Sequence, residues 1–301
     1  MEIIKPGINL DFVGKRTVAI IFSALIILAG IGSLVVKGGP EYGIDFAGGT
    51  LVQVKFDTET GPKQIKEAIK GLELGQVSVQ SFGEQGGEFL IRVQQAAQLK
   101  DLSRNISAAL TAVYGADKVE VRRVEMVGPQ VGKDLRTKGL MAILYAMIGI
   151  LAYITWRFEF RFAVGAILAL VHDVLITLGV FSLFGKEIDL PIVAAFLAII
   201  GYSLNDTIIV YDRIRENLAR HGKDGFEPVV NRSINETLSR TILTSGTTMA
   251  VVLALFFLGG GVIHNFAFAM TIGILVGTYS SIFVASPVLI FWDDYKKRRA
   301  A

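Results

Sequence analysis

Residues Pro191–Val210 read PIVAAFLAIIGYSLNDTIIV. At ~1.5 Å per residue such a helix rises about 30 Å, the thickness of a bilayer's hydrocarbon core. Asp206, beside Asn205, is the one charged side chain in the run. A carboxylate at that depth costs at least ~2.5–3.5 kcal/mol to insert, so it points to an ion or proton path or to a buried cation partner. Working outward, Asp173 follows His172 inside a second apolar run, and Arg240 stands at the mouth of a third. Three membrane segments carrying these groups suggest a machine that uses a proton gradient.

The composition agrees with a membrane protein. Hydrophobic residues make up 52% of the 301-residue chain and charged ones only 19%, which points away from an ordinary soluble protein. Hydropathy predicts six spans, at Thr17–Val36, Gly139–Trp156, Phe162–Phe184, Pro191–Val210, Thr241–Leu258 and Phe266–Trp292. The first is longer than a signal-peptide core and lacks a clear cleavage site after it, so it reads as a retained anchor. Cysteine is absent, which removes disulfide, thiol-nucleophile and thiolate-metal chemistry. Fifteen Lys and Arg residues lie before span one, between spans two and three, between four and five, and after six; only Lys186 lies in the short loops opposite. The positive-inside rule therefore places both termini in the cytoplasm and the segment after span one outside.

That external segment, 37–138, is long enough for one small domain. Val52, Val54 and Phe56 alternate with polar residues as in a strand, and Pro62 opens a helix with Ile65, Ala68, Ile69 and Leu72 on one face. Val77 and Val79 give a second strand, Gly83–Gly87 a turn, and Phe89, Ile91 and Val93 a third strand. Leu99, Leu102, Ile106, Leu110 and Val113 recur at helical spacing before a last strand at Val119 and Val121. The order βαββαβ predicts an α+β ferredoxin-like domain between helices 1 and 2 of a polytopic, six-helix membrane protein. The remaining parts are a cytoplasmic N-terminus at 1–16, the first span at 17–36, a bundle at 139–292 with a cytoplasmic loop at 211–240, and a basic tail at 293–301. No catalytic constellation and no basic stripe for nucleic acid occur in the domain, so it reads as a binding or gripping module. Its segment GIDFAGGT, Gly43–Thr50, carries Gly43, Gly48 and Gly49 around Asp45. This reads either as a plain turn or as a contact between the domain and the membrane base. A phosphate loop is excluded because no Gly-Lys-Ser/Thr ending follows.

Within the bundle, Asp173 falls near mid-membrane, and Asp206 lies ~22 Å along its helix from Pro191. Arg240 enters span five from the cytoplasm, with Thr244 and Thr248 on the same helical face and Ser245 and Thr247 adjoining. Desolvation favours a neutral carboxyl and a nearby guanidinium favours a charged one, so relative motion of Arg240 and Asp206 would load and release a proton. Asn205, Ser203 and the threonine hydroxyls are expected to hold waters between them. Plainer readings stand beside this one. Asp206 would form a static ion pair, Asp173 would only orient a packing His172, and Arg240 would only set topology. Gly201, Gly246 and Gly273 are expected to allow close helix approach.

The stretches GYSLNDT (Gly201–Thr207), YDRIREN (Tyr211–Asn217) and SRTILTSGTT (Ser239–Thr248) closely resemble the signatures of the SecD/SecF family of protein-export membrane proteins, on its SecF side. Asp11–Arg16, Gly43–Thr50, Val127–Gly132 and His172–Val174 resemble the same family, with Ala47 departing where threonine is frequent. The resemblance covers nearly the whole chain. It implies membership of the resistance–nodulation–division superfamily and a bacterial inner membrane, with membrane lipid around the bundle. It also implies pairing with SecD and association with the SecYEG channel and YajC. The implied role is use of the proton-motive force to complete export of unfolded protein chains, with protons as the coupling ion and no cofactor. Carried onto this chain, the proton-path residues are Asp206 and Arg240. Two other classes remain open at this point: a proton-coupled exporter of small molecules or lipids, and a non-motor scaffold.

Overall fold

The structure, a computed structural model, describes residues 8–75, 77–82, 87–93 and 102–300. Among the described residues, six helices are long and apolar enough to cross a membrane. The first, α1 (Arg16–Lys37), leads into the domain formed by α2 (Ile44–Ala47), β1 (Gly49–Phe56), α3 (Pro62–Ala68), β2 (Val77–Phe82), β3 (Glu88–Val93), α4 (Leu102–Tyr114) and β4 (Val119–Val127). The four strands lie in the order β2-β3-β1-β4, every pair antiparallel. Strand alternation sends Val52, Val54, Phe56, Phe89, Ile91 and Val93 to one face, where Ile65 of α3 and Leu102, Ile106 and Leu110 of α4 cover them. The opposite face is the more exposed one. Gly83–Gly86 of the expected turn and Leu99 of the expected helix lie outside the described residues.

The bundle follows as α5 (Pro129–Arg157), α6 (Phe160–Leu183), α7 (Leu190–His221), α8 (Phe226–Leu258) and α9 (Gly260–Ser280), then a π-helical turn at Ser281–Ala285 and α10 (Ser286–Ala300). The sixth span runs through that turn, from Ile263 to Arg299. α5 begins well before the Gly139 start read from hydropathy. Pro129 stands in its first turn, where an amide N–H is not needed, and helix geometry continues through polar residues that hydropathy cannot score as membrane.

The segment 211–240, expected as a loop, is a helical hairpin. α7 runs on to His221 and α8 starts at Phe226. Its polar surface hides an apolar stripe: Tyr211, Ile214, Val230, Ile234 and Leu238 are buried against one another and against Phe162. Asn217 adds bonds to Ser233 (3.0 Å) and Glu236 (2.7 Å), and Arg213 an ion pair with Glu236 (2.7 Å).

Helix crossings are set by small residues. Gly30 of α1 meets Gly179 of α6 so closely that a Cβ on Gly30 would stand 2.6 Å from the Gly179 Cα. Gly273 and Gly277 of α9 likewise receive Ile199 and Ser203 of α7. Gly201 and Gly246, expected as packing positions, face open surface instead. The outward faces of α1, α5 and α8 carry exposed apolar side chains such as Leu25, Leu144 and Val251, the pattern of a lipid- or protein-covered surface within a membrane.

Candidate functional site

The helix crossings bring polar groups from five spans into two adjoining clusters inside the bundle. In the first, Asp206 of α7 is fully buried, and its Oδ2 accepts a hydrogen bond from Ser245 of α8 at 3.3 Å. Ser245 also bonds Thr278 of α9 at 2.7 Å. The second carboxylate oxygen, Oδ1, has no hydrogen-bond partner among the described residues, and neither has the buried hydroxyl of Thr241. A half-satisfied buried carboxyl is costly to keep unless it takes up a proton or an incoming group.

The remaining residues singled out from the sequence are distributed differently than expected. Asn205 is exposed, because one residue along a helix turns its side chain by ~100°, away from the side that buries Asp206. Arg240 also lies on the outer surface of the bundle, and its guanidinium makes no ion pair or hydrogen bond among the described residues. Thr244 spends its hydroxyl on the carbonyls of Arg240 and Thr241, both at 3.0 Å, rather than on Asp206. Ser203 turns to the other cluster. Of the expected set, the structure brings Ser245 into contact with Asp206 and leaves the charge of Arg240 within electrostatic reach of it, with Thr278 as an addition. The unbroken polar run Thr278–Ser281 in the sixth span was the available signal for that addition.

In the second cluster Asp173 of α6 is wholly buried. It is bonded by His172 Nδ1 at 2.8 Å, Ser203 Oγ at 2.5 Å and Ser280 Oγ at 2.8 Å. His172 Nε2 lies 3.0 Å from Ser23 Oγ of α1, which lies 3.0 Å from the Tyr279 hydroxyl of α9. Ser203 and Asp206 are one turn apart on α7, so the clusters share one polar seam.

A separate junction ties the external domain to the bundle. The Gly43 amide donates to the Ile188 carbonyl (2.9 Å), Ile188 N–H to the Glu41 carbonyl (2.7 Å), and Leu190 N–H to Asp45 Oδ2 (2.9 Å). Gly48 holds a φ of 75°, and a Cβ there would stand 2.8 Å from the Pro129 Cα, so only glycine fits both the backbone angle and the approach. Gly49 starts β1 directly after it. The glycine segment is therefore a structural joint as well as a turn. Above it, Arg92 of β3 pairs with Glu187 in the loop between α6 and α7. Burial pushes the Glu187 carboxyl up to about 7 despite the opposing pull of Arg92, with the charges of Asp189 and Glu41 acting in the same upward direction.

With this arrangement in view, comparisons with known proteins are informative. A model described as "Protein export membrane protein SecD/SecF, C-terminal" matches residues 105–295, and one described as "SecD/SecF GG Motif" matches residues 32–60, the joint just described. The protein translocase subunit SecF of Calditerrivibrio nitroreducens is 48% identical over 302 residues, covering 99% of each chain. That of Magnetococcus marinus is 49% identical over 306 residues, covering 100% of this chain and 97% of the relative. Among solved structures, the translocon-associated membrane protein SecDF from Thermus thermophilus superposes with a TM-score of 0.86 at 36% identity, over 96% of this chain. This chain spans 39% of that SecDF chain. A SecDF in a super-membrane-facing form gives a TM-score of 0.72 at 35% identity, over 100% of this chain and 40% of the other. The chain belongs to the SecD/SecF family of protein-export membrane proteins.

Proposed function

We propose that this chain is the SecF-type subunit of a protein translocase, and that protonation of Asp206 couples the proton-motive force to export. The observation that carries the reading is the state of Asp206: fully buried, with one oxygen unpartnered among the described residues. Beside it, Asn205 and Arg240 are exposed on the bundle. A guanidinium and a carboxamide facing hydrocarbon are costly, so that surface calls for a polar partner helix. SecD supplies it in this reading, and the pair works with SecYEG, with YajC alongside, on unfolded chains.

Arg240 then acts by approach. Turned inward it holds Asp206 ionised; turned to the partner it leaves the carboxyl to take a proton. The external module, about residues 37–138, moves with that exchange through the glycine joint. Its element order and the sheet order β2-β3-β1-β4 support the ferredoxin-like reading of that module.

The test is export of a secreted reporter into energised vesicles, comparing the unmodified chain with Asp206→Asn at equal insertion. Loss of only the gradient-dependent part of export is expected. Equal gradient dependence in both would make Asp206 a structural group, as would full export by a variant with apolar residues at both 206 and 240.

A further inference from the structure

The polar contacts around His172 admit few proton arrangements. The Tyr279 hydroxyl has one hydrogen, and the Ala19 carbonyl, 2.7 Å away, can only accept it. The bond between Tyr279 and Ser23 at 3.0 Å must therefore use the Ser23 hydrogen. With that hydrogen spent, Ser23 can only accept from His172, so Nε2 must carry a proton. On the other side of the ring, Ser203 donates to Asp173 Oδ2, and Ser280 lies within donating distance of the same oxygen. This leaves Oδ1 facing His172 Nδ1 at 2.8 Å. Two bare lone pairs cannot face each other at that distance, so a proton must lie between them.

We propose that His172 and Asp173 form a second proton-binding site that holds one proton between His172 Nδ1 and Asp173 Oδ1, locked in place by Tyr279 through Ser23. Whether the proton is written on nitrogen or on oxygen, the pair is neutral overall. That makes it tolerable at mid-membrane: Asp173 is 0% and His172 7% exposed. Among the described residues, the polar groups meeting the pair are Ser23 from α1, Ser203 from α7, and Ser280 from α9. Tyr279 stacks on the imidazole with ring centroids 6.0 Å apart. Asp206, one turn beyond Ser203, is the next titratable group along α7.

Release has a defined structural cost. When the proton leaves to bulk water, the ring must move its remaining proton from Nε2 to Nδ1 to keep a bond to the carboxylate. Nε2 then needs a donor, and among the described residues only Ser23 is in reach, so Ser23 must turn from Tyr279. Proton occupancy is thereby linked to a contact between α1 and α9. This site extends the proton-coupled reading of Asp206, yet its test is spectroscopic and independent of export.

The full-length protein in lipid bilayers, labelled with nitrogen-15 at histidine, reports each ring nitrogen directly. His172 is one of three histidines, and the signal lost in His172→Gln identifies it. At neutral pH we expect Nε2 to be protonated, with Nδ1 either protonated or accepting a strong hydrogen bond. In Tyr279→Phe, Ser23 is free to donate, and His172 should shift towards the neutral form protonated at Nδ1. A ring protonated at Nδ1 alone in the unmodified protein would overturn the proposal. An unchanged ring in Tyr279→Phe would overturn the lock.

Discussion

Replacing Glu187 by Gln tests the junction between the external domain and the bundle. Glu187 is 12% and its partner Arg92 15% exposed at the side chain, and Gln80 bonds Arg92 at 3.1 Å. A close ion pair by itself would lower the carboxyl's pKa. Here burial is the larger effect and raises it from the ordinary 4.5 to about 7. The sign follows from which form the folded state prefers. A carboxyl raised on docking favours the protonated state, so its contribution is complete below pH 4.5 and is lost as pH rises through about 7. The difference amounts to about 3 kcal/mol, or a few hundredfold (roughly 300) in the docking equilibrium. Gln mimics the protonated carboxyl and does not titrate, so between about pH 5 and about pH 8.5 docking of E187Q should fall far less than docking of the unmodified chain. Hydrogen exchange at the amides of Gly43, Ile188 and Leu190, which bridge the junction, measures this after correction for intrinsic rates. Parallel pH profiles for the two proteins would refute the reasoning. So would tighter docking of the unmodified chain at high pH, since Arg92 would then outweigh burial.

Two further predictions concern packing. Gly179→Ala places a Cβ 2.8 Å from the Gly30 Cα. Backbone cannot yield there, so α1 must shift, at about 1–3 kcal/mol. Gly201→Ala, with nothing within 4 Å, serves as the neutral control, and equal thermal midpoints for both variants in mild detergent would contradict the close crossing. Asn231→Ala removes the acceptor of the Phe12 and Val13 amides, at 2.9 and 3.2 Å. It should loosen residues 9–14 by about 1–3 kcal/mol, read as faster hydrogen exchange there with the bundle unchanged.

Much of the candidate site was legible in the chain, but not its assembly. The carboxylates Asp206 and Asp173 stand out because charge in a membrane span is rare for an energetic reason. Ser245 was included as an adjoining hydroxyl, and it does reach Asp206. His172 read as packing, because a histidine beside an aspartate has no distinguishing signal until Ser23 and Tyr279 arrive from helices far away in sequence. Arg240 and Asn205 were read as inward partners of Asp206; both are exposed, and Arg240 acts on Asp206 through its charge without a hydrogen bond or ion pair among the described residues.

Properties that sum along the chain were decided by the sequence alone: six membrane spans, orientation from basic residues, and alternating strands in the external domain. Each depends on local hydrophobicity or charge against a bilayer of fixed thickness. Which side of each helix faces inward was decided only by tertiary structure. These spans are apolar nearly all round, so periodicity carries little information about facing. Facing is set instead by where backbones approach closely, at Gly30 with Gly179 and at Gly277 with Ser203. Those crossings bury Asp206 and turn Asn205 out, and they bring Ser23, Tyr279, Ser203 and Ser280 around the His172–Asp173 pair.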